Sequence, residues 1–323
     1  MNLRGISFYL SLFCFPISFL AFINILYASY FDYFLSIDTY FTTLLISLII
    51  GFGLFNYGKK AKKNINFFEQ LILVISTYFI ASLLISIPFY LSNYQVTFLN
   101  SIFESISGLT GTGFSIFKNI KYLDPTLILW RSSSQWIGGL FFLFFIIIIF
   151  SNKTFNYKMT NLTFSAEGNI NSEVNIKDNI LRILIIYLVL SILILTLLNY
   201  SGLRLFNSLN MSMTLVSGGG FLPTDSINKI ISTNFQKIIF IFSLILSMLN
   251  FYLLFNIFNK KTLIKEHKED LYLIILSIFF CILIYFNNYQ GLDIIISIIS
   301  SLANSGLTLV ESDNNLSLYF LLI

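Results

Sequence analysis

Charge is scarce in this chain, and so are the residues that usually carry chemistry. Charged side chains make up 11% of the 323 residues, and there are one His, two Cys and four Pro. Set against 56% hydrophobic residues, 37 Phe and a mean hydropathy of +0.83, the shortage of charge excludes a water-soluble fold, since no globular interior hides that much apolar surface. The single His, His267, sits in the charged stretch 260–270 with no second His nearby, which leaves no His-built metal site. Cys14 and Cys281 lie within apolar runs and lack CxxC spacing, so they read as packing residues and not as a disulfide or metal ligands. The net charge of +4 points to no nucleic acid, because the Lys residues collect in short loops instead of forming a basic face.

What the chain has in abundance is long apolar runs. Measured against the roughly 20 residues a helix needs to cross the hydrocarbon core, candidate spans are 6–29, 40–57, 67–91, 127–150, 180–198, 237–258 and 271–286, with another begun at 316–323. The first resembles a signal peptide in position, but its length, Pro16 and the lack of a small-residue cleavage site favour a retained helix. A cytoplasmic amino terminus places Arg4, Lys59, Lys60, Lys62, Lys63, Lys153, Lys158, Lys177, Arg182, Lys260, Lys261, Lys265 and Lys268 inside, as the positive-inside rule expects.

Between the spans lie three segments too short to cross: 98–109, 203–216 and 292–302. Each runs into an uncharged loop: Thr110-Gly111-Thr112-Gly113, then Ser217-Gly218-Gly219-Gly220, then Ala303-Asn304-Ser305-Gly306, followed by Phe114, Phe221 and Leu307. With the chosen orientation all three enter the membrane from the outer side. A re-entrant helix ending near mid-membrane presents the negative end of its dipole to a cation. Left-handed backbone at Gly113, Gly220 and Gly306 would then turn successive carbonyls to one side, where they replace the water shell of a monovalent ion. Small residues that merely allow close helix packing are the plainer explanation of any one loop. Three loops after three similar hairpins favour the ion pathway.

The residues 103–113, Phe-Glu-Ser-Ile-Ser-Gly-Leu-Thr-Gly-Thr-Gly, resemble the first pore helix and filter of the Trk/Ktr/HKT superfamily of potassium transporters. The resemblance continues through 130–139 (Trp-Arg-Ser-Ser-Ser-Gln-Trp-Ile-Gly-Gly), 217–221, Thr224-Asp225 and 247–251, and is nearest to the membrane subunit of the bacterial Trk branch. It implies an all-α integral membrane protein of repeated helix–pore loop–helix hairpins around a pseudo-symmetric pore. Residues 1–64 correspond to an amino-terminal helix pair, 65–155 to the first pore repeat, 156–262 to the second and 263–323 to an incomplete third. The family has four repeats, so a fourth is absent here and a truncated or split subunit is expected. Thr110 to Gly113, Ser217 to Gly220 and Ala303 to Gly306 would each give one wall of a potassium filter, and the Gly residues at 113, 220 and 306 imply potassium preference over sodium.

The resemblance further implies potassium uptake across the cytoplasmic (inner) membrane, a homodimer in lipid and a cytosolic nucleotide-binding regulatory subunit, while the departure from four repeats leaves either a truncated chain or a separate chain supplying the fourth repeat. No cofactor is expected beyond the potassium ion itself as cargo. The loop 151–179 is either a docking site for the regulator or a linker.

The remaining polar residues each have two readings. Glu104 and Arg131 steer ions or pair with each other, or Arg131 is an interfacial anchor beside Trp130. Glu69 makes a surface contact near Lys62 and Lys63 or is an ion site, Asn250 hydrogen-bonds across helices or touches the ion, and Asp225, Glu311 and Asp313 either gather cations at the mouth or are solvated. An enzyme is disfavoured: Ser132-Ser133-Ser134 has no base beside it, and Gly218-Gly219-Gly220 lacks the Lys of a phosphate loop. A secondary transporter with broken helices for another solute, or a non-conducting membrane fragment, are the alternatives.

Overall fold

Short polar side chains start four of the helices described below, at Asn2, Asn66, Thr97 and Thr233. In the computed structural model, which describes residues 1–61, 65–150, 176–249, 268–286 and 291–309, all regular structure among the described residues is helical. Helix α1 (Leu3–Tyr30) is capped by Asn2, whose side-chain oxygen accepts from Gly5 N–H at 2.9 Å. A turn with Asp32 at φ 58° leads to α2 (Phe34–Gly58). Helix α3 (Phe67–Leu91) opens with a capping box, in which Glu69 returns to the Asn66 N–H at 2.8 Å. Thr97 caps α4 (Phe98–Leu109), and α5 (Pro125–Phe150) carries Pro125 at its first position, where a missing N–H costs nothing.

The second half continues with α6 (Ile176–Tyr200), α7 (Leu205–Val216), α8 (Asn234–Met248), α9 (Lys268–Phe286) and α10 (Leu292–Leu302). Thr233 and Gln236 form the capping box of α8. Single 3₁₀ turns, Ile120–Tyr122 and Ile227–Lys229, precede α5 and α8.

Five of these helices are long and apolar enough to cross a membrane: α1, α2, α3, α5 and α6. The short helices α4, α7 and α10 have 12, 12 and 11 residues, about 18 Å of rise against a hydrocarbon core of about 30 Å. Of the expected span 237–258, residues 250–258 lie outside the described residues. Helix α8 begins at Asn234 and stops at Met248, where Leu249 turns to ψ 149° and breaks the i to i−4 ladder. The segment 316–323 lies outside the described residues.

Many hydroxyl side chains inside the apolar helices are satisfied by their own backbone. Thr77 donates to Leu73 O at 2.7 Å and Ser86 to Leu83 O at 2.8 Å, so polar atoms enter the interior without needing water. Pro88 disturbs the last turns of α3, and the nearby Ile85 carbonyl accepts the buried Trp130 indole N–H at 3.0 Å, tying α5 to α3.

The chain divides into two compact units, Met1–Thr154 and Phe155–Ile323. In the first, α1 packs on α2, α3 and α5, and α4 is held between α3 and α5. Phe13 of α1 meets Phe141 and Phe145 of α5 at ring-centroid distances of 4.9 and 4.8 Å. In the second, α6 packs on α7 and α8, while α10 packs on α8 and α9.

Candidate functional site

Each short helix ends in the same kind of turn. The residue after the C-cap is left-handed in all three: Gly111 at φ 71°, Gly218 at φ 67° and Asn304 at φ 59°. Gly takes this conformation freely, and Asn is the side chain that tolerates it best. In the second repeat Gly218 N–H bonds Leu215 O at 3.0 Å and Gly219 N–H bonds Thr214 O at 2.9 Å. In the third, Asn304 bonds Ser301 O at 3.1 Å and Ser305 bonds Ser300 O at 3.0 Å. These are paired bonds of a Schellman cap, and in the first repeat Gly111 N–H makes one of them, to Gly108 O at 3.0 Å.

Left-handed backbone was expected at the fourth position of each loop. Gly113 (φ 79°) and Gly306 (φ 63°) adopt it, and Gly220 does not. The difference follows the hydrogen bonds. Gly113 N–H turns back to Ser107 O at 3.5 Å and Gly306 N–H to Ser300 O at 3.3 Å, whereas among the described residues Gly220 makes no such return.

A hydroxyl three residues before each loop reaches the residue that follows it. Ser107 donates to Phe114 O at 2.6 Å, and Thr214 donates to Phe221 O at 3.0 Å, with Asn210 O also at 3.0 Å. In the third repeat the Ser300 hydroxyl accepts from Leu307 N–H at 2.6 Å and lies 3.0 Å from the Ser305 hydroxyl. The intervening oxygens are left open. Among the described residues, no donor is bonded to the peptide carbonyls of Thr110 to Gly113, Ser217 to Gly220 or Ala303 to Gly306. Unmade bonds of this kind are costly in an apolar surround unless an ion or water takes their place. Within the second unit the two loops adjoin, since a Cβ added to Gly218 would lie 3.4 Å from Ala303 O.

Behind the first loop sits a buried ion pair. Arg131 Nε lies 2.8 Å from Glu104 Oε1, with side chains 1% and 0% exposed. Glu104 also accepts from the Ser115 hydroxyl at 2.9 Å and from Ile116 N–H at 2.9 Å, and Arg131 Nη2 donates to Ser115 Oγ at 2.9 Å. The guanidinium stands 5.7 Å from the Phe117 ring centroid. Pairing is therefore the outcome for these two residues, and the interfacial-anchor reading of Arg131 fails because its charge is held in the protein interior. Two turns along the same face of α5, Gly138 meets the end of α4 so closely that a Cβ there would fall 2.1 Å from Leu109 O. Helix α5 thus holds both the middle and the end of α4.

Other polar residues settle as follows. Glu69 is buried and spent on backbone amides, of Asn66 at 2.8 Å and of Asn2, so it is not a surface contact. Asp225 is paired with Lys229 at 2.6 Å, which offsets its charge as a cation attractor. The hydroxyls of Ser132, Ser133 and Ser134 bond to Ile128, Trp130 and Arg131 carbonyls of their own helix. On α10, Asp293 Oδ1 lies 2.6 Å from Lys237 Nζ of α8. Cys14 and Cys281 are free thiols. Asn250, His267, Glu311, Asp313 and residues 151–175 of the loop lie outside the described residues. The three hydroxyl tethers went unpredicted, although a Ser or Thr at the same offset in all three repeats was a readable signal.

The TrkH family, described as a cation transport protein, matches residues 36–287. An uncharacterised cation transporter of Methanocaldococcus jannaschii is 28% identical over 87% of this chain and 60% of its own length. The Trk system potassium uptake protein TrkG of Escherichia coli K12 is 24% identical over 71% of this chain and 48% of its own. The crystal structure of the potassium transporter TrkH from Vibrio parahaemolyticus superposes with a TM-score of 0.74 at 19% identity, covering 94% of this chain and 64% of that one. The chain thus spans between about half and two thirds of the lengths of these proteins, and it shares the fold of the Vibrio parahaemolyticus structure over the part it covers.

Proposed function

The chain belongs to the TrkH family of cation transport proteins, and on that footing we propose that it forms part of a potassium pathway across the cytoplasmic membrane. Membership makes it a multi-pass membrane protein of a transporter family and not an enzyme. Under this proposal Thr110, Gly111, Thr112 and Gly113, Ser217, Gly218, Gly219 and Gly220, and Ala303, Asn304, Ser305 and Gly306 present peptide oxygens to a dehydrated potassium ion. The amino terminus is cytoplasmic, and the short helices α4, α7 and α10 enter from the outer side with their carboxyl ends toward the ion. Enclosing an ion on four sides takes one more wall, supplied by residues outside these three repeats.

The observation that carries this reading is the set of carbonyls left open on Schellman-capped, uncharged loops. In water such oxygens would be hydrated and unremarked. In a chain this apolar they are expensive unless a cation binds them. Gly at 113, 220 and 306 supports potassium over sodium by the resemblance set out above.

The test is uptake in a bacterial host stripped of its own potassium uptake systems, with the protein expressed from its full native reading frame. Rubidium uptake competed by potassium and little affected by sodium is expected, and Gly111→Ala and Gly218→Ala, both strained at positive φ, should abolish it. Membrane-inserted protein that moves no rubidium, or that carries an organic solute regardless of potassium, contradicts the proposal.

A further inference from the structure

The three hydroxyl tethers point to a device that the family assignment does not contain. We infer that Ser107, Thr214 and Ser300 are positioning residues which hold the loop oxygens at the spacing that discriminates potassium from sodium. The inference rests on the filter reading above and names what keeps that filter in shape.

Each tether occupies the same place. It leaves the third residue before the loop and reaches the seventh residue onward: Ser107 to Phe114, Thr214 to Phe221 and Ser300 to Leu307. Each therefore closes a ring around the four residues whose carbonyls are open. The chemistry of the closure varies while its span does not. Two tethers donate to a carbonyl and one accepts an N–H, and the side chain is Ser twice and Thr once. Variation of means around a constant span is what a geometric requirement leaves behind, because any bond that fixes the distance will serve.

All three hydroxyl residues are buried, at 4%, 0% and 0% exposure, so water competes poorly for them. Their backbone carbonyls add to the same constraint. Ser107 O accepts Gly113 N–H and Ser300 O accepts Gly306 N–H, and Thr214 O accepts Gly219 N–H. One residue in each repeat thus grips the loop from both its backbone and its side chain. Without the hydroxyl, the exit residue drifts, the loop widens or narrows with the ion offered, and a smaller cation is accommodated at little extra cost.

A merely structural hydroxyl would lower stability equally whatever salt is present. Purified protein in detergent is melted in choline, sodium and potassium chloride across a concentration series, giving an apparent affinity for each cation. Ser107→Ala, Thr214→Val and Ser300→Ala are each expected to reduce the potassium-to-sodium affinity ratio by roughly threefold to tenfold, the range of one lost hydrogen bond. Ser107→Thr and Thr214→Ser should keep the wild-type ratio. Should Ser107→Ala fail to fold, Thr214→Val, the same shape without the hydroxyl, is read by the same criteria. A wild-type ratio in variants that melt lower in all three salts overturns the tether while leaving the filter standing. A wild-type protein with no preference for potassium overturns the filter reading, and this inference with it.

Discussion

The segments around α4 and α7, the first and second repeats, arrive at the same loop by different means. In the first, a buried Glu104–Arg131 pair with Ser115 locks α4, the loop exit and α5 together. At the position in the second repeat that corresponds to Glu104, six residues before the loop, stands the buried apolar Met211. Yet both loops have a left-handed residue after the C-cap and a hydroxyl tether across the same span. The shared features belong to the loop. The charged clamp belongs to the first repeat alone of these two, and serves its exit segment at Ser115 and Ile116.

The comparison breaks most visibly at Glu104. Glu104→Gln leaves Arg131 buried without its countercharge and should cost about 3–5 kcal/mol, seen as a large fall in the melting temperature of the protein in detergent. Glu104→Met combined with Arg131→Leu makes the first repeat resemble the second and should recover most of that loss, since apolar replacement of a buried pair is often close to neutral. A double variant as unstable as the single one would show that the clamp cannot be exchanged for apolar packing.

Gly138→Ala comes next. Its Cβ would overlap Leu109 O, so α5 or α4 must shift, at about 1–3 kcal/mol by thermal unfolding. In the second repeat, Thr233→Ala removes the cap of α8 and should cost about 1 kcal/mol by the same measurement. The smallest effect belongs to Lys237→Gln. Asp293 is 41% exposed, so breaking this contact should cost less than about 1 kcal/mol, and added salt should erase the difference.

Much of this architecture was legible in the residues. Helices α3, α4 and α10 have the boundaries their apolar runs and caps indicate, because Asn66, Thr97 and the small-residue loops mark the ends chemically. The family resemblance likewise rested on local motifs. What escaped was set by tertiary geometry. Glu104 and Arg131 are 27 residues apart, and only folding brings Ser115 between them. Gly220 looked equivalent to Gly113 and Gly306 in sequence, but among the described residues its N–H makes no return to the end of the short helix, whereas Gly113 and Gly306 bond back to Ser107 O and Ser300 O. The left-handed positions common to all three repeats were Gly111, Gly218 and Asn304, and a helix-capping reading of Gly or Asn just past each helix end would have found them.

The most direct test is anomalous diffraction from crystals of the protein grown with thallium(I), a heavy stand-in for potassium. Thallium density beside the peptide oxygens of the loops at Thr110–Gly113, Ser217–Gly220 and Ala303–Gly306, weakened by competing potassium and untouched by sodium, is the predicted result. Thallium confined to carboxylates such as Asp225 or Asp293, with the loop carbonyls bare, would contradict it.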